Sequence, residues 1–193
     1  MKAIAIYQNL PTDNPYCFEE VDLAKPQPTD RDLLVRIKAV AVNPVDYKVR
    51  SSIKEQPTTP KILGWDGSGI VEQVGADTSL FKVGDEVYYA GSITRPGTNS
   101  EYQLVDERIV GKKPRNLSFV EAAALPLTTI TAWEALFERL AITAHQKSTI
   151  LIINGAGGVG SIAIQLAKQV AGLQVIATAS RKETIAWCQK MGA

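Results

Sequence analysis

The stretch NGAGGVG sets Gly155, Gly157 and Gly160 in the spacing G-x-G-x-x-G, with Ala156, Gly158 and Val159 between them. A turn of this kind does its chemistry with the backbone. Gly155 permits a tight turn, Gly157 leaves room for a pyrophosphate to approach the main chain, and Gly160 lets the following helix pack close to the preceding strand. The free amides at the helix N-terminus then face the anion, helped by the helix dipole. The same spacing recurs in turns that bind nothing, so the flanks decide. Before it, Ile150, Leu151, Ile152 and Ile153 form the short apolar run of a strand buried on both faces. After it, Val159, Ile162, Ala163, Leu166, Ala167 and Val170 recur at helical spacing. Strand, glycine turn and helix stand in the order that a dinucleotide site requires.

The end of the next strand selects the dinucleotide. An Asp or Glu about 20 residues on would bind the ribose 2′-hydroxyl of NAD. Leu173 to Thr178 reads as that strand, and Ala179, Ser180, Arg181 and Lys182 follow it without a carboxylate. A hydroxyl and two cations suit the extra phosphate of NADP, which arginine binds through its planar fork. The same residues have a second reading. Ser180 and Glu183 match an S-x-x-E capping box opening the helix ETIAWCQKM, with Arg181 solvated in its first turn. Glu183 is then the one candidate for the missing acid, although it falls inside the helix.

The elements that position these groups divide in two. Ala3 to Tyr7, Leu33 to Val42, Gly69 to Val74, Glu86 to Tyr89, Tyr102 to Val105 and Ile109 to Val110 read as strands separated by Pro, Gly and Asp turns. In the 120s the character changes. Ser118 and Glu121 make a capping box before VEAAAL, Pro126 interrupts, and LTTITAWEALFERLAI reads as a helix leading to the glycine strand. A boundary near residue 120 is expected, with a β-rich domain over 1–120 and a dinucleotide-binding domain over 121–193. Ligand is expected between the two.

Composition narrows the function classes. The chain is 45% hydrophobic and 21% charged, as in an ordinary globular protein. Its net charge of +1 and lack of a basic run leave no electrostatic footprint for nucleic acid. Cys17 and Cys188 are far apart and form neither a metal-like cluster nor a disulfide framework, which suits a reducing compartment. The start, MKAIAIYQNL, lacks a signal-peptide apolar segment and nothing approaches a membrane span, so a cytoplasmic location is expected. The single histidine, His145, lies in the polar stretch AITAHQKS and reads as a solvated surface residue.

Several blocks in order, AVNPVDYKVR, ILGWDGSGIVEQVG, FKVGDEVYYAG, EYQLVDERIVG, EAAALPLTTITAWEALF and NGAGGVGSIAIQLAK, resemble the medium-chain dehydrogenase/reductase superfamily. The likeness is to its quinone oxidoreductase branch and to the zinc-type alcohol dehydrogenase-like proteins, and it extends over essentially the whole chain. It implies an α/β fold with a β-rich part, a GroES-like β domain followed by a Rossmann-like domain. It also implies NADPH as cofactor, a small-molecule substrate and a homodimer when full length.

The resemblance also carries a negative statement. Zinc-using relatives have Cys where this chain has Asn43 and His where it has Trp65, and neither replacement suits zinc. Asp46 and Asp66 stand beside those positions, too few for a metal site, and AGSITRPGTNSEY lacks the cysteines of the structural zinc lobe. No zinc is expected. Without a Lewis acid, the expected reaction is hydride transfer from NADPH to an acceptor needing little acid help, a quinone or a conjugated enone or alkene. Another carbonyl substrate, or a non-catalytic relative that binds nucleotide or partner proteins, is the alternative.

The resemblance places Asn43 beside the nicotinamide or substrate, and Thr128 and Thr131 near the cofactor. From its own chemistry Asn43 can donate or accept through its amide, or act as N-cap to a short helix that starts at Pro44. Tyr47 can protonate a developing enolate, but the family tyrosine falls one residue later, at Lys48, which favours a packing role. Asp46 reads as an acid that orders the loop.

Only 33 residues follow Gly160 in this 193-residue chain. A doubly wound domain needs two βαβαβ halves. The expectation is a Rossmann-like domain that stops part-way, so that the isolated chain binds NADPH weakly or not at all and does not turn over.

Overall fold

The computed structural model describes residues 1–53, 59–144 and 148–193. His145 lies outside the described residues. The chain forms two compact units, Met1–Leu127 and Thr128–Ala193.

The first unit is built from antiparallel strands. β1 (Lys2–Ile6) pairs on either side with β2 (Glu19–Asp22) and β4 (Lys61–Ile62). A five-stranded sheet is centred on β3 (Asp32–Ala41) and β5 (Asp66–Val74) and adds β6 (Glu86–Ala90), β7 (Tyr102–Asp106) and β8 (Val110–Lys112). Between β3 and β4 lies α1 (Pro44–Ser51), whose Pro44 occupies the first helical position, where a missing N–H costs nothing. Two register shifts interrupt the β3–β5 ladder, at Leu34/Val35 and at Ile37/Ala39. Alternation drives Leu33, Val35, Val71, Val87, Tyr89 and Val105 into one core. Burying each such aliphatic side chain stabilises the fold by about 1.5–3 kcal/mol.

The expected strands are present with ends moved by a few residues. Ile109 is the exception, closing a 3₁₀ turn over Glu107–Ile109 before β8. The helix α2 (Phe119–Ala123) is opened by the Ser118–Glu121 capping box, in which the Ser118 amide donates to Glu121 Oε2 at 2.9 Å. It packs on β3, β5 and β6, and the Ser68 hydroxyl donates to the Phe119 carbonyl at 2.6 Å. The first unit therefore runs past residue 120, to Leu127, the second residue of α3 (Pro126–Trp133).

The second unit pairs β9 (Thr149–Ile152) in parallel with β10 (Gln174–Ala177), joined through the helix α4 (Gly158–Gln165), and continues into α5 (Lys182–Met191). Two helical stretches, after α3 and after α4, close with i to i+5 bonds: the Leu140 amide donates to the Ala135 carbonyl, and Ala171 to Leu166. Its core is Ala132, Leu136, Ala163, Ile164, Ala167, Ala171, Leu173, Val175 and Cys188.

Two expectations need correction here. The run Ile150–Ile153 is not buried on both faces. Ile150 and Ile152 pack on the core, whereas Leu151 is 59% and Ile153 75% exposed. An unbroken apolar run fits a half-covered strand as well as a covered one. The buried stripe of α4 keeps Ile162, Ala163, Leu166 and Ala167 of the expected one but is shifted at its edges. Gly160, Ala163, Ile164 and Ala167 face the core, while Val159 and Val170 stay outside. A glycine can occupy a core-facing position because it brings the helix backbone itself to the turn that leaves β9.

Among the described residues no helix is long and apolar enough to cross a membrane.

Candidate functional site

The glycine turn begins where β9 ends, and Asn154 bends the chain into it with a φ of 57°. Asparagine enters this left-handed region more readily than most residues. The Asn154 amide donates to Thr178 Oγ1 at 2.9 Å and the Gly155 amide to the Thr178 carbonyl at 3.0 Å, which ties the turn to the end of β10.

Each glycine has its own surroundings. A Cβ on Gly160 would lie 2.6 Å from the Asn154 carbonyl oxygen and 2.8 Å from Gly155 backbone, so α4 folds back onto the turn that leaves β9 at backbone distance. On Gly155 it would meet Ala177, Cys188 and Ile164. On Gly158 it would come 3.1 Å from the Thr128 methyl group, which sets Thr128 against the first turn of α4. Gly157 differs. Its nearest neighbour is the Asn154 side chain at 3.3 Å, and it is the N-cap of α4, with no side-chain cap bond. Ala156 and Val159 complete the turn. Thr131 follows Thr128 by three residues on α3, the spacing that shares a helix face.

Beyond β10, Ser180, Arg181 and Lys182 are all exposed. The cap of α5 is not the expected one. Its N-cap is Arg181, whose amide donates to Thr184 Oγ1 at 3.1 Å, one residue after the S-x-x-E register of Ser180 and Glu183. The hydroxyl of Thr184 serves at the third helical position where a glutamate was expected, and leaves Glu183 exposed in the first turn. On α5 the Trp187 indole N–H donates to the Ser161 hydroxyl of α4 at 2.8 Å.

In the first unit Asn43, Asp46 and Asp66 come together. Asn43 is the N-cap of α1, and its amide donates to Asp46 Oδ2 at 2.6 Å. Its side-chain Nδ2 donates to Asp66 Oδ2 at 2.8 Å, and the Leu127 amide donates to Asp66 Oδ1 at 2.9 Å. Asp66 is 1% exposed, and burial pushes its carboxyl up to about 6 against the two donated hydrogen bonds, with Asp46 adding to the rise. Tyr47, expected to pack, is instead 62% exposed, because α1 turns that position outward.

Residues 29–115 match the alcohol dehydrogenase GroES-like domain. The chain is 48% identical to a zinc-type alcohol dehydrogenase-like protein of Staphylococcus aureus, over all of this chain and 58% of that protein. It is 37% identical to the NADPH-dependent alkenal/one oxidoreductase of Arabidopsis thaliana, over 90% of this chain and 46% of that one. A Rhizobium etli structure assigned as a zinc-dependent alcohol dehydrogenase superimposes with a TM-score of 0.93 at 55% identity, covering all of this chain and 57% of its own. The quinone oxidoreductase of Escherichia coli, solved with NADPH, gives 0.82 at 29% identity over the same shares. The chain belongs to the medium-chain dehydrogenase/reductase superfamily, in its quinone oxidoreductase-like branch. It spans a little over half the length of the first of these relatives.

Within this superfamily the name of the Staphylococcus relative raises the question of zinc. The residues here do not fit it. Asn43 turns its N–H towards Asp66, and the indole N–H of the buried Trp65 donates to the Ser92 carbonyl at 2.8 Å. Neither nitrogen offers a lone pair, and both oxygens of Asp66 already accept N–H groups. Asp46 remains as a single carboxylate.

Sequence reasoning missed the role of Asp66, weighed only as a stray metal ligand, and those of Asn154, Thr178 and Trp187. Asn154 carried one local signal, an asparagine directly before a glycine at a strand end.

Proposed function

We propose that the chain is the cofactor-holding and substrate-facing part of an NADPH-dependent, zinc-independent reductase, which passes a hydride to a quinone or to the alkene of a conjugated enone. The observation that carries this reading is the glycine turn: Gly160 brings α4 back onto the turn that leaves β9, and Gly157, as N-cap, leaves the amides of the first turn open to a pyrophosphate. The exposed Ser180, Arg181 and Lys182, with no carboxylate at the strand end, suit the 2′-phosphate. The names of the Arabidopsis oxidoreductase and the Escherichia coli structure favour the same cofactor.

In this reading NADPH, when bound, supplies the hydride, and a proton completes the two-electron reduction. Thr128 and Thr131 line the cofactor, and Asn43 faces the nicotinamide or the substrate. Tyr47, with its exposed hydroxyl, is the proton donor to test, and Asp46 orders the loop that carries both.

The test is NADPH oxidation by the full-length protein with a panel of quinones and enones, with metal content measured alongside. Turnover without zinc supports the reading, and stoichiometric zinc overturns it. Arg181→Asp is expected to shift preference from NADPH towards NADH by about tenfold or more, since it replaces a phosphate partner with a hydroxyl acceptor. Unchanged relative affinities would return Arg181 to a solvent-exposed helix cap.

A further inference from the structure

Asp66 is a buried carboxylate facing no cation among the described residues. The charged group that acts on it is another acid, Asp46 of α1. Such a group weakens the fold when ionised, since water solvates a carboxylate better than two amide N–H groups do. Its retention needs another explanation.

The hydrogen bonds supply one. An ionised carboxylate only accepts, so of the two ends of the Asn43 carboxamide only the nitrogen can face it. The 2.8 Å contact from Asn43 Nδ2 to Asp66 Oδ2 therefore decides which way the amide is turned. The other oxygen takes the amide of Leu127, the second residue of α3. Asn43 and Leu127 lie 23 and 61 residues from Asp66 in sequence, and one carboxylate holds both.

We propose that Asp66 is a positioning residue, which turns the Asn43 carboxamide into one orientation and anchors the start of α3. The inference rests on the reading in which Asn43 faces the nicotinamide or the substrate. Asparagine at position 66 has one acceptor and a donor, so it can satisfy Leu127 while offering an N–H to Asn43, and the amide then turns over.

The experiment uses the full-length protein in two parts. First, the side-chain NH₂ resonances of Asn43 in the wild type are followed from pH 5 to 8. They are expected to shift with a midpoint near the raised value of Asp66, about 6, and the shift to vanish in Asp66→Asn. Asn43 NH₂ protons that exchange with solvent as fast as those of a free amide at pH 8, where Asp66 is ionised, overturn the proposal, and this measurement needs no variant to fold.

Second, NADPH-dependent turnover is compared in Asp66→Asn, Asn43→Ala and the double variant. Asp66→Asn is expected to lower kcat about tenfold with little change in melting temperature, and the double variant to be no slower than Asn43→Ala alone. Losses that multiply, with a melting temperature that falls in step, would make Asp66 merely structural. If the wild type reduces no quinone or enone, the functional reading fails by itself, and the Asn43 resonances still decide the role of Asp66.

Discussion

The two units fix their backbones with different materials. Every buried polar side chain among the described residues, Asp46, Asp66, Ser68, Thr98, Gln103 and Glu107, belongs to the first unit. The buried residues of the second are apolar, and its close contacts are made by glycine backbone. Glu107 is the strongest example in the first unit. It is fully buried, yet amides from Leu80 and Ser79 and the guanidinium of Arg31 outweigh burial and hold its carboxyl below the usual range. Among the described residues Asp66 receives two neutral donors and no cation, and moves the other way. A buried acid is thus set by what is aimed at it, whereas a glycine turn is set by what is left out.

Substitutions can break or sharpen this contrast. The largest effect is expected at Gly160, where a methyl group meets backbone that cannot yield: Gly160→Ala should cost the second unit about 3 kcal/mol in denaturant unfolding and, under the proposed reading, abolish NADPH binding by the full-length protein. A variant of wild-type stability would show that the close approach is dispensable.

Next comes Glu107→Gln in the first unit, expected to lower the melting temperature at pH 7 on the order of 5 °C, because an amide group then faces amide donors. Since folding depresses the Glu107 carboxyl, its contribution is present above the ordinary glutamate range and is lost as pH falls towards the folded value. The gap between variant and wild type should therefore close in acid. A gap that widens in acid would contradict the assignment.

Gly158→Ala is expected to cost about 1 kcal/mol by pressing on the Thr128 methyl group, and Thr128→Ser, which removes that methyl, should recover it. Failure of the serine variant to recover would separate the two residues.

The smallest change in stability is expected at Gly157. Its φ of −71° suits alanine, which offsets the loss of a better N-cap residue, so Gly157→Ala should change stability by no more than about 1 kcal/mol while NADPH affinity of the full-length protein falls about tenfold or more. Stability and binding part company at this glycine, and equal loss of both would make it an ordinary packing position.

The same contrast explains what could be read in advance. The second unit was legible because its determinants are local: glycine spacing, strand before, helix after. Its errors were local too. A run of isoleucines looks alike whether one face or both are covered, and Thr184 could take the capping position from the S-x-x-E pattern one residue earlier. In the first unit the strands were legible from alternation, but the groups that organise the candidate site were not. Leu127 meets Asp66, and Arg31 meets Glu107, across 61 and 76 residues, and no local pattern announces which acid will be buried or which donor will reach it. The short β2 and β4 were also missed, since four and two residues carry too little alternation to stand out.

The bond from Trp187 to Ser161 gives the glycine-turn helix an optical voice. An indole hydrogen-bonded to the first turns of α4 emits according to the state of that hydroxyl, and reduced nicotinamide absorbs where tryptophan emits. Under the proposed reading, adding NADPH to the full-length protein is expected to change the emission of this one native side chain, with Trp187→Phe as the dark control against Trp65 and Trp133.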